Sequence, residues 1–251
     1  MIEPLSLAFL LAVVFIANFY AASAGGASIL ILPAMFLIGI PPMVAVGTNR
    51  FHRVFSTGAM LFKFLKEIKL EKKGTLGFII VTIIGAIIGA VITVNLSPDF
   101  LKNIVLTAIS IVIVFMLVKN NLGLEERKIN PSKTNKIFTI VGVFLVSLYR
   151  AIIGSAAGTF LRLHLVSFCG YDFLKSAALA SVLGFTSSVV ATILFMGFGI
   201  IDYVLGVEML VVGMAGGYLG ATFAIKNGNK FIQKIFFGVA ILMIIKLVVF
   251  G

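Results

Sequence analysis

The chain has 251 residues, 61% of them hydrophobic, with a mean hydropathy of +1.19 and a formal net charge of +11. Soluble domains are about 45–50% apolar, so this composition excludes a soluble enzyme or a nucleic-acid-binding domain and predicts an all-α integral membrane protein embedded in the lipid bilayer. The apolar runs are too long and too free of charge for a β-barrel. A single cysteine, Cys169, and two histidines, with no CxxC or HExxH spacing, predict no disulfide, no metal site and no cofactor.

Leu5–Ala24 is the first predicted transmembrane helix. Ala22-Ser23-Ala24 imitates a signal-cleavage site, but no lysine or arginine precedes the apolar run, which favours a span over a cleaved leader. Gly25–Ile40 is shorter, opens with Gly25-Gly26 and carries Pro33. At 1.5 Å per residue it reaches about 24 Å, less than the roughly 30 Å hydrocarbon core, and so predicts a short, tilted or broken helix. Pro41-Pro42 ends it.

Met43–Leu65 holds the polar stretch Thr48-Asn49-Arg50-Phe51-His52-Arg53-Val54-Phe55-Ser56-Thr57. Ionisable residues at membrane depth cost roughly 2.5–3.5 kcal/mol each on insertion scales and usually face a protein interior or a watery cavity. At helical spacing Asn49, Arg53, Ser56 and Thr57 share one face with His52 beside them, while Phe51, Phe55 and Phe62 point elsewhere. Two readings fit: a cationic stripe lining a cavity, or Arg50 and Arg53 marking a helix end and reaching to the interface.

Lys63, Lys66, Lys69, Lys72 and Lys73 form a basic connection, diluted by Glu67 and Glu71. Thr75–Leu96 is the next predicted helix, with Gly85 and Gly89 four apart, a spacing that lets helices approach closely. Ser97-Pro98-Asp99 turns the chain into a fifth segment, Phe100–Val118, and the polar run 119–136 follows as a linker.

The remainder repeats the first part in one constant register, with no gap needed. Gly39 meets Gly170, Ser56 and Thr57 meet Ser187 and Ser188, and Gly85, Gly89 and Ala90 meet Gly216, Gly220 and Ala221. This predicts a first repeat over 1–118, a cytoplasmic linker over 119–136 and a second repeat over 137–251. Five segments per unit make the second inverted. With both termini outside, the lysine-rich connections at 63–73, 119–136 and 226–230 fall inside, and the lysine-free ones at 95–99 and 197–204 fall outside. The expected fold is two five-segment inverted repeats, about eight full transmembrane helices plus two short or broken ones. Internal repeats of this kind point to a secondary transporter.

The two short runs, Gly25–Ile40 and Gly154–Gly170, sit at corresponding positions and are the best sequence pointer to a binding site. Broken helices offer free N–H groups to an anion at Gly25-Gly26 and Gly158-Thr159; the same glycines equally suit close packing. Arg50, Arg53, Arg150 and Arg162 give a surplus of positive charge with few acids, which argues for an anionic substrate and against a sodium or calcium site. Asn49, Arg50 and Arg53 are the expected anion ligands, faced by Ser187 and Ser188. His52 and His164 are candidates for proton coupling, or are neutral and satisfied within the bundle. No partnered carboxylate or metal constellation supports an enzyme.

These residues resemble a known family. Gly25-Gly26, Pro33, Gly39, Pro42, Ala45 and Gly47-Thr48-Asn49-Arg50 in the first half, with Gly154, Gly158-Thr159, Gly170-Tyr171-Asp172, Lys175-Ser176-Ala177-Ala178, Ser187-Ser188 and Gly216…Gly220-Ala221 in the second, look like the TauE/SafE sulfite and organosulfonate exporters, close to their YfcA-like branch. The resemblance spans nearly the whole chain. It implies a cell-membrane transporter of small sulfur-containing anions such as sulfite, sulfoacetate or thiosulfate. Ala27 and Ala156-Ala157 stand where the family often has glycine, and Arg162 and His164 where it usually has apolar residues. An anion channel on the same scaffold is the alternative. Sequence leaves the oligomeric state open.

Overall fold

The computed structural model of the protein describes residues 3–97, 100, 133–152, 154 and 157–250; of Lys73, 133–136 and 229–250 only the backbone is described. The expected fifth segment beyond Phe100 and the 119–136 linker lie outside the described residues. Among the described residues all regular structure is helical: α1 Pro4–Ala24, α2 Ser28–Leu37, α3 Pro42–Glu67, α4 Lys72–Val94, α5 Lys133–Ile152, α6 Ala157–Phe168, α7 Phe173–Gly197 and α8 Tyr203–Phe250. Helix α8 is interrupted at Gly228, whose φ of 71° is not helical. Among the described residues four stretches are long and apolar enough to cross a membrane: Pro4–Ala24, Gly74–Val94, Phe173–Gly197 and Tyr203–Gly228.

The helix ends follow from local chemistry. Pro4 and Pro42 start α1 and α3, where their fixed φ suits the first turn and no N–H is wanted. Gly25, at φ 77°, stops α1 and returns its N–H to the Ala21 carbonyl at 2.8 Å. Asp172 caps α7 by accepting the Lys175 N–H at 2.6 Å. Helix α2 has only 10 residues, about 15 Å, and is shorter than the expected Gly25–Ile40 run because Gly25 and Gly26, both with positive φ, stand outside it.

The helix starts along the chain fall into two spacings. Pro4 pairs with Lys133 and Ser28 with Ala157 in one; Pro42 pairs with Phe173 and Lys72 with Tyr203 in the other, which is slightly longer. The added length sits in α6, which has 12 residues against 10 residues in α2. Positive-φ glycines flank both short helices: Gly25 (φ 77°) and Gly154 (φ 74°) precede α2 and α6, and Gly39 (φ 83°) and Gly170 (φ 73°) follow them.

Two seams of glycine hold the bundle. A methyl group on Gly85 would lie 3.0 Å from the Phe144 carbonyl oxygen, and one on Gly89 2.5 Å from that of Leu148, so α4 meets α5 backbone to backbone. On the other side Gly216 abuts the Phe15 carbonyl, with 2.5 Å to such a methyl, and Gly220 abuts that of Phe19, joining α8 to α1. In each seam both helices advance together, so each pair is parallel. Each pair also takes one helix from either half.

Replacing Gly89 or Gly220 with leucine should lower stability by about 3 kcal/mol, the upper end of the usual overpacking cost, because the obstructing atoms are backbone. Gly77→Leu, which meets nothing within 4 Å, is the neutral control. Thermal unfolding in detergent reads the difference; equal melting temperatures for Gly77→Leu and Gly89→Leu would refute the seam.

Candidate functional site

The last carbonyls of a helix have no partner within it, and three near the end of α1 accept bonds from α6. The Thr159 hydroxyl donates to the Ala24 carbonyl at 2.9 Å, and the Arg162 guanidinium donates to the carbonyls of Ser23 and, at 2.9 Å, Ala21. The Tyr20 hydroxyl donates to the Gly26 carbonyl at 2.8 Å. These bonds draw the two chain breaks together. A methyl group on Gly25 would fall 2.5 Å from the Gly158 carbonyl carbon and 2.6 Å from the Thr159 nitrogen, and one on Gly158 would fall 2.9 Å from the Gly26 nitrogen. All four residues expected at the openings are thus in contact, with Gly158-Thr159 inside the first turn of α6 instead of ahead of it. The N-termini of α2 and α6, the positive ends of their dipoles, meet at this crossing.

The α3 stripe faces the crossing. Asn49 donates to the Ser28 hydroxyl at 2.9 Å, tying α3 to the first residue of α2. Arg50 is 2% exposed and lies over Gly154, where a methyl group would be 2.5 Å from Nη2; the same nitrogen is 3.5 Å from the Ala151 carbonyl. Arg53 donates to Asn18 Oδ1 at 3.1 Å. Asn18 in turn donates to the Val14 carbonyl at 2.8 Å and lies 3.4 Å from His52 Nε2. His52 is fully buried against Gly213 of α8. The Thr57 hydroxyl bonds back to the Arg53 carbonyl. Arg50 and Arg53 lie at least two turns from either end of α3, so neither marks a helix end. As expected from spacing, Phe55 and Phe62 turn outward, while Phe51 packs edge-on to Tyr203.

From α7, Ser187 and Ser188 are buried, and the Ser187 hydroxyl has no protein partner among the described residues. One turn earlier, Gly184 leaves room for the Arg150 guanidinium and the Thr57 methyl. His164 belongs to different surroundings. Its imidazole is 3.1 Å from the Thr139 carbonyl, 4.9 Å from the Phe168 ring and pressed on Gly142, with Cys169 Sγ 3.9 Å from Thr139 Oγ1. The two histidines therefore do not share a site.

Arg50 and Arg162 each lie within electrostatic reach of both Arg53 and Arg150. Among the described residues the one ion pair is Lys63–Glu67, away at the end of α3, and no carboxylate is buried. Arg50 Nε, Arg150 Nη2, Arg162 Nε and Ser56 Oγ are buried without protein acceptors or donors among the described residues. Buried charge is tolerated when paired, and these guanidiniums have no carboxylate partner among the described residues. No group of three metal-ligating side chains occurs among the described residues. A separate hollow of about 760 Å³ at the Glu3 end of the bundle is lined by Glu3, Asp202 and Glu208, the wrong sign for an anion.

Asn18, Arg150 and Gly154 join the site without having been assigned to it from sequence. Asn18 was visible as the polar residue amid the Leu5–Ala24 run, and Gly154 as the glycine that opens the second short run as Gly25 opens the first.

Comparison with known proteins gives the chain relatives. The family model described as sulfite exporter TauE/SafE matches residues 10–247. A probable membrane transporter protein, ORF9, of Sinorhizobium sp. is 30% identical, covering 96% of this chain and 92% of its own. The probable membrane transporter protein YfcA of Escherichia coli K12 is 27% identical over 98% and 91%, and YdhB of Bacillus subtilis, named likewise, is 24% identical over 80% and 82%. No solved structure matches.

Proposed function

The chain belongs to the sulfite exporter TauE/SafE family, and from that premise we propose that it is a secondary transporter moving a small, sulfur-containing anion of the sulfite, thiosulfate or sulfoacetate type by alternating access. The observation that carries this reading is the meeting of two broken-helix N-termini, at Gly25-Gly26 and Gly158-Thr159, beside buried arginines with no buried carboxylate among the described residues. Asn49, Arg50 and Arg53 grip the anion from α3, and Ser187 and Ser188 donate to it from α7. The backbone at the crossing supplies further donors. His52, buried within reach of Asn18, is the better placed of the two histidines to couple a proton to the anion; His164 lies outside the site.

The two units, 1–118 and 137–251, are inverted copies of five segments joined by a cytoplasmic linker, with both termini outside the cytoplasmic membrane. The parallel pairing of α1 with α8 and of α4 with α5 supports this. With alternating helices in each half, it requires α5 to run opposite to its counterpart α1.

Thermal unfolding of the purified protein with sulfite, sulfate, thiosulfate, sulfoacetate, taurine, acetate and chloride tests the assignment. A ligand at one hundred times its Kd stabilises by about 2.7 kcal/mol. Stabilisation confined to sulfur oxyanions is expected. No stabilisation by any anion would overturn the anion assignment.

A further inference from the structure

Arg53 and Arg150 occupy exchanged places in the two halves. In the register that pairs Pro42 with Phe173, Arg53 corresponds to Gly184 on α7; in the register that pairs Pro4 with Lys133, Arg150 corresponds to Ala21 on α1. In the first half the guanidinium belongs to the third helix and reaches the first, where Asn18 receives it at 3.1 Å. In the second half it belongs to the first helix of the unit, α5, and reaches the third, α7. There it fills the room that Gly184 leaves: a methyl group on Gly184 would be 2.5 Å from Arg150 Nη1 and 3.3 Å from Thr57 Cγ2. Each half therefore contributes one guanidinium at its first-to-third helix contact.

An arginine with a structural role fixes its terminal nitrogens on acceptors, as Arg162 does with Nη1 and Nη2 on the carbonyls of Ser23 and Ala21, although its Nε is unpartnered among the described residues. Arg150 does not. It is 6% exposed, yet its Nη2 has no acceptor among the described residues, and the buried Ser187 hydroxyl, one turn along α7 from Gly184, is also unpartnered. We infer that Arg150 is the second half's anion ligand, the counterpart of Arg53, and that the ligand is an oxyanion carrying two charges, one matched by a guanidinium from each half. The inference rests on the anion-transport reading above. Arg50 and Arg162 already donate to backbone carbonyls. Of the half-buried Arg53 and the buried Arg150, which have none among the described residues, a singly charged anion would leave one without a counter-charge, whereas a dianion matches both.

The test measures Kd by calorimetry on the full-length protein in detergent, with sulfate and thiosulfate as dianions and isethionate as a singly charged sulfonate. Arg150→Gln should weaken the dianions by about 10- to 100-fold, the loss of one charge-assisted contact, and isethionate far less. Arg150→Lys should recover part of the affinity, since it restores the charge without the planar fork. Gly184→Ala keeps every charge and only displaces the guanidinium tip, so it should also weaken dianions while leaving the melting temperature of the unliganded protein nearly unchanged; it serves if Arg150→Gln does not fold. Wild-type dianion affinity in Arg150→Gln or Gly184→Ala, or a lowered unliganded melting temperature with Kd unaltered, would overturn the inference. If Arg53→Ala still loses binding in that case, the transporter reading stands. If the unaltered protein binds none of the three anions, both fall together.

Discussion

Arg53→Ala is expected to weaken anion binding by about 10- to 100-fold, equivalent to about 1.5–3 kcal/mol for one hydrogen-bonded charge, without unfolding the protein. A guanidinium has five N–H donors, and the one side-chain bond Arg53 donates goes to Asn18. The remaining donors are the capacity the site has for a ligand. The stability side is unusual. No carboxylate among the described residues pairs with Arg53, so removing it orphans no charge. It leaves the Asn18 amide oxygen short of a donor, but it also relieves repulsion from Arg50, Arg150 and Arg162. The unliganded melting temperature should therefore change little, while Kd, read by calorimetry or ligand-induced thermal shift, rises steeply. Arg53→Lys should fall between, keeping the charge and losing the fork. A folded Arg53→Ala protein with wild-type affinity would remove Arg53 from the site.

Gly25→Ala should have the largest effect on folding. Gly25 adopts φ 77° and ψ −179°, a region essentially closed to residues with a side chain, at about 1–3 kcal/mol of strain. The added methyl would also strike the Gly158 backbone at 2.5 Å. Backbone cannot step aside as a side chain can, so the combined cost is about 3–5 kcal/mol against a total stability of about 5–15 kcal/mol. Loss of the monodisperse protein from detergent extracts is the expected result. Gly154→Ala makes an instructive contrast. Its φ is also positive, at 74°, but its methyl would meet the tip of Arg50, which can move. That variant should fold with a smaller loss and bind anions poorly. Equal yields of the Gly25 and Gly154 variants would show that the crossing is not close-packed.

Much of this was legible because membrane sequences state their exceptions loudly. The run Thr48–Thr57 announced α3's buried face because charge is expensive there, and Pro33 with the flanking glycines announced that α2 would be short. The lengthening of α6 relative to α2 was not legible. It falls among apolar and small residues that match any frame, so Gly158-Thr159 read as opening residues although they lie inside the first turn of α6. The role of Arg162 was hidden for another reason. Its acceptors are carbonyls 139 and 141 positions away, and a backbone carbonyl carries no sequence signature. The spacing of Gly85 and Gly89 predicted a close neighbour but could not say which helix it would be.

That neighbour has an evolutionary consequence. Both glycine seams join one half of the chain to the other: α4 closes on α5, and α8 closes on α1. Among the described residues, the close backbone faces of α1 and α4 are covered by α8 and α5 from the later part of the chain. If the two units are copies, as proposed, a second unit inserted in the opposite sense supplies both partners at once. On the duplicated reading, the ancestor of this protein was a half-length gene product that worked as an antiparallel pair. On the same reading, fusion of two such genes would have freed each copy to specialise, leaving one unit with its arginine on α3 and the other on α5.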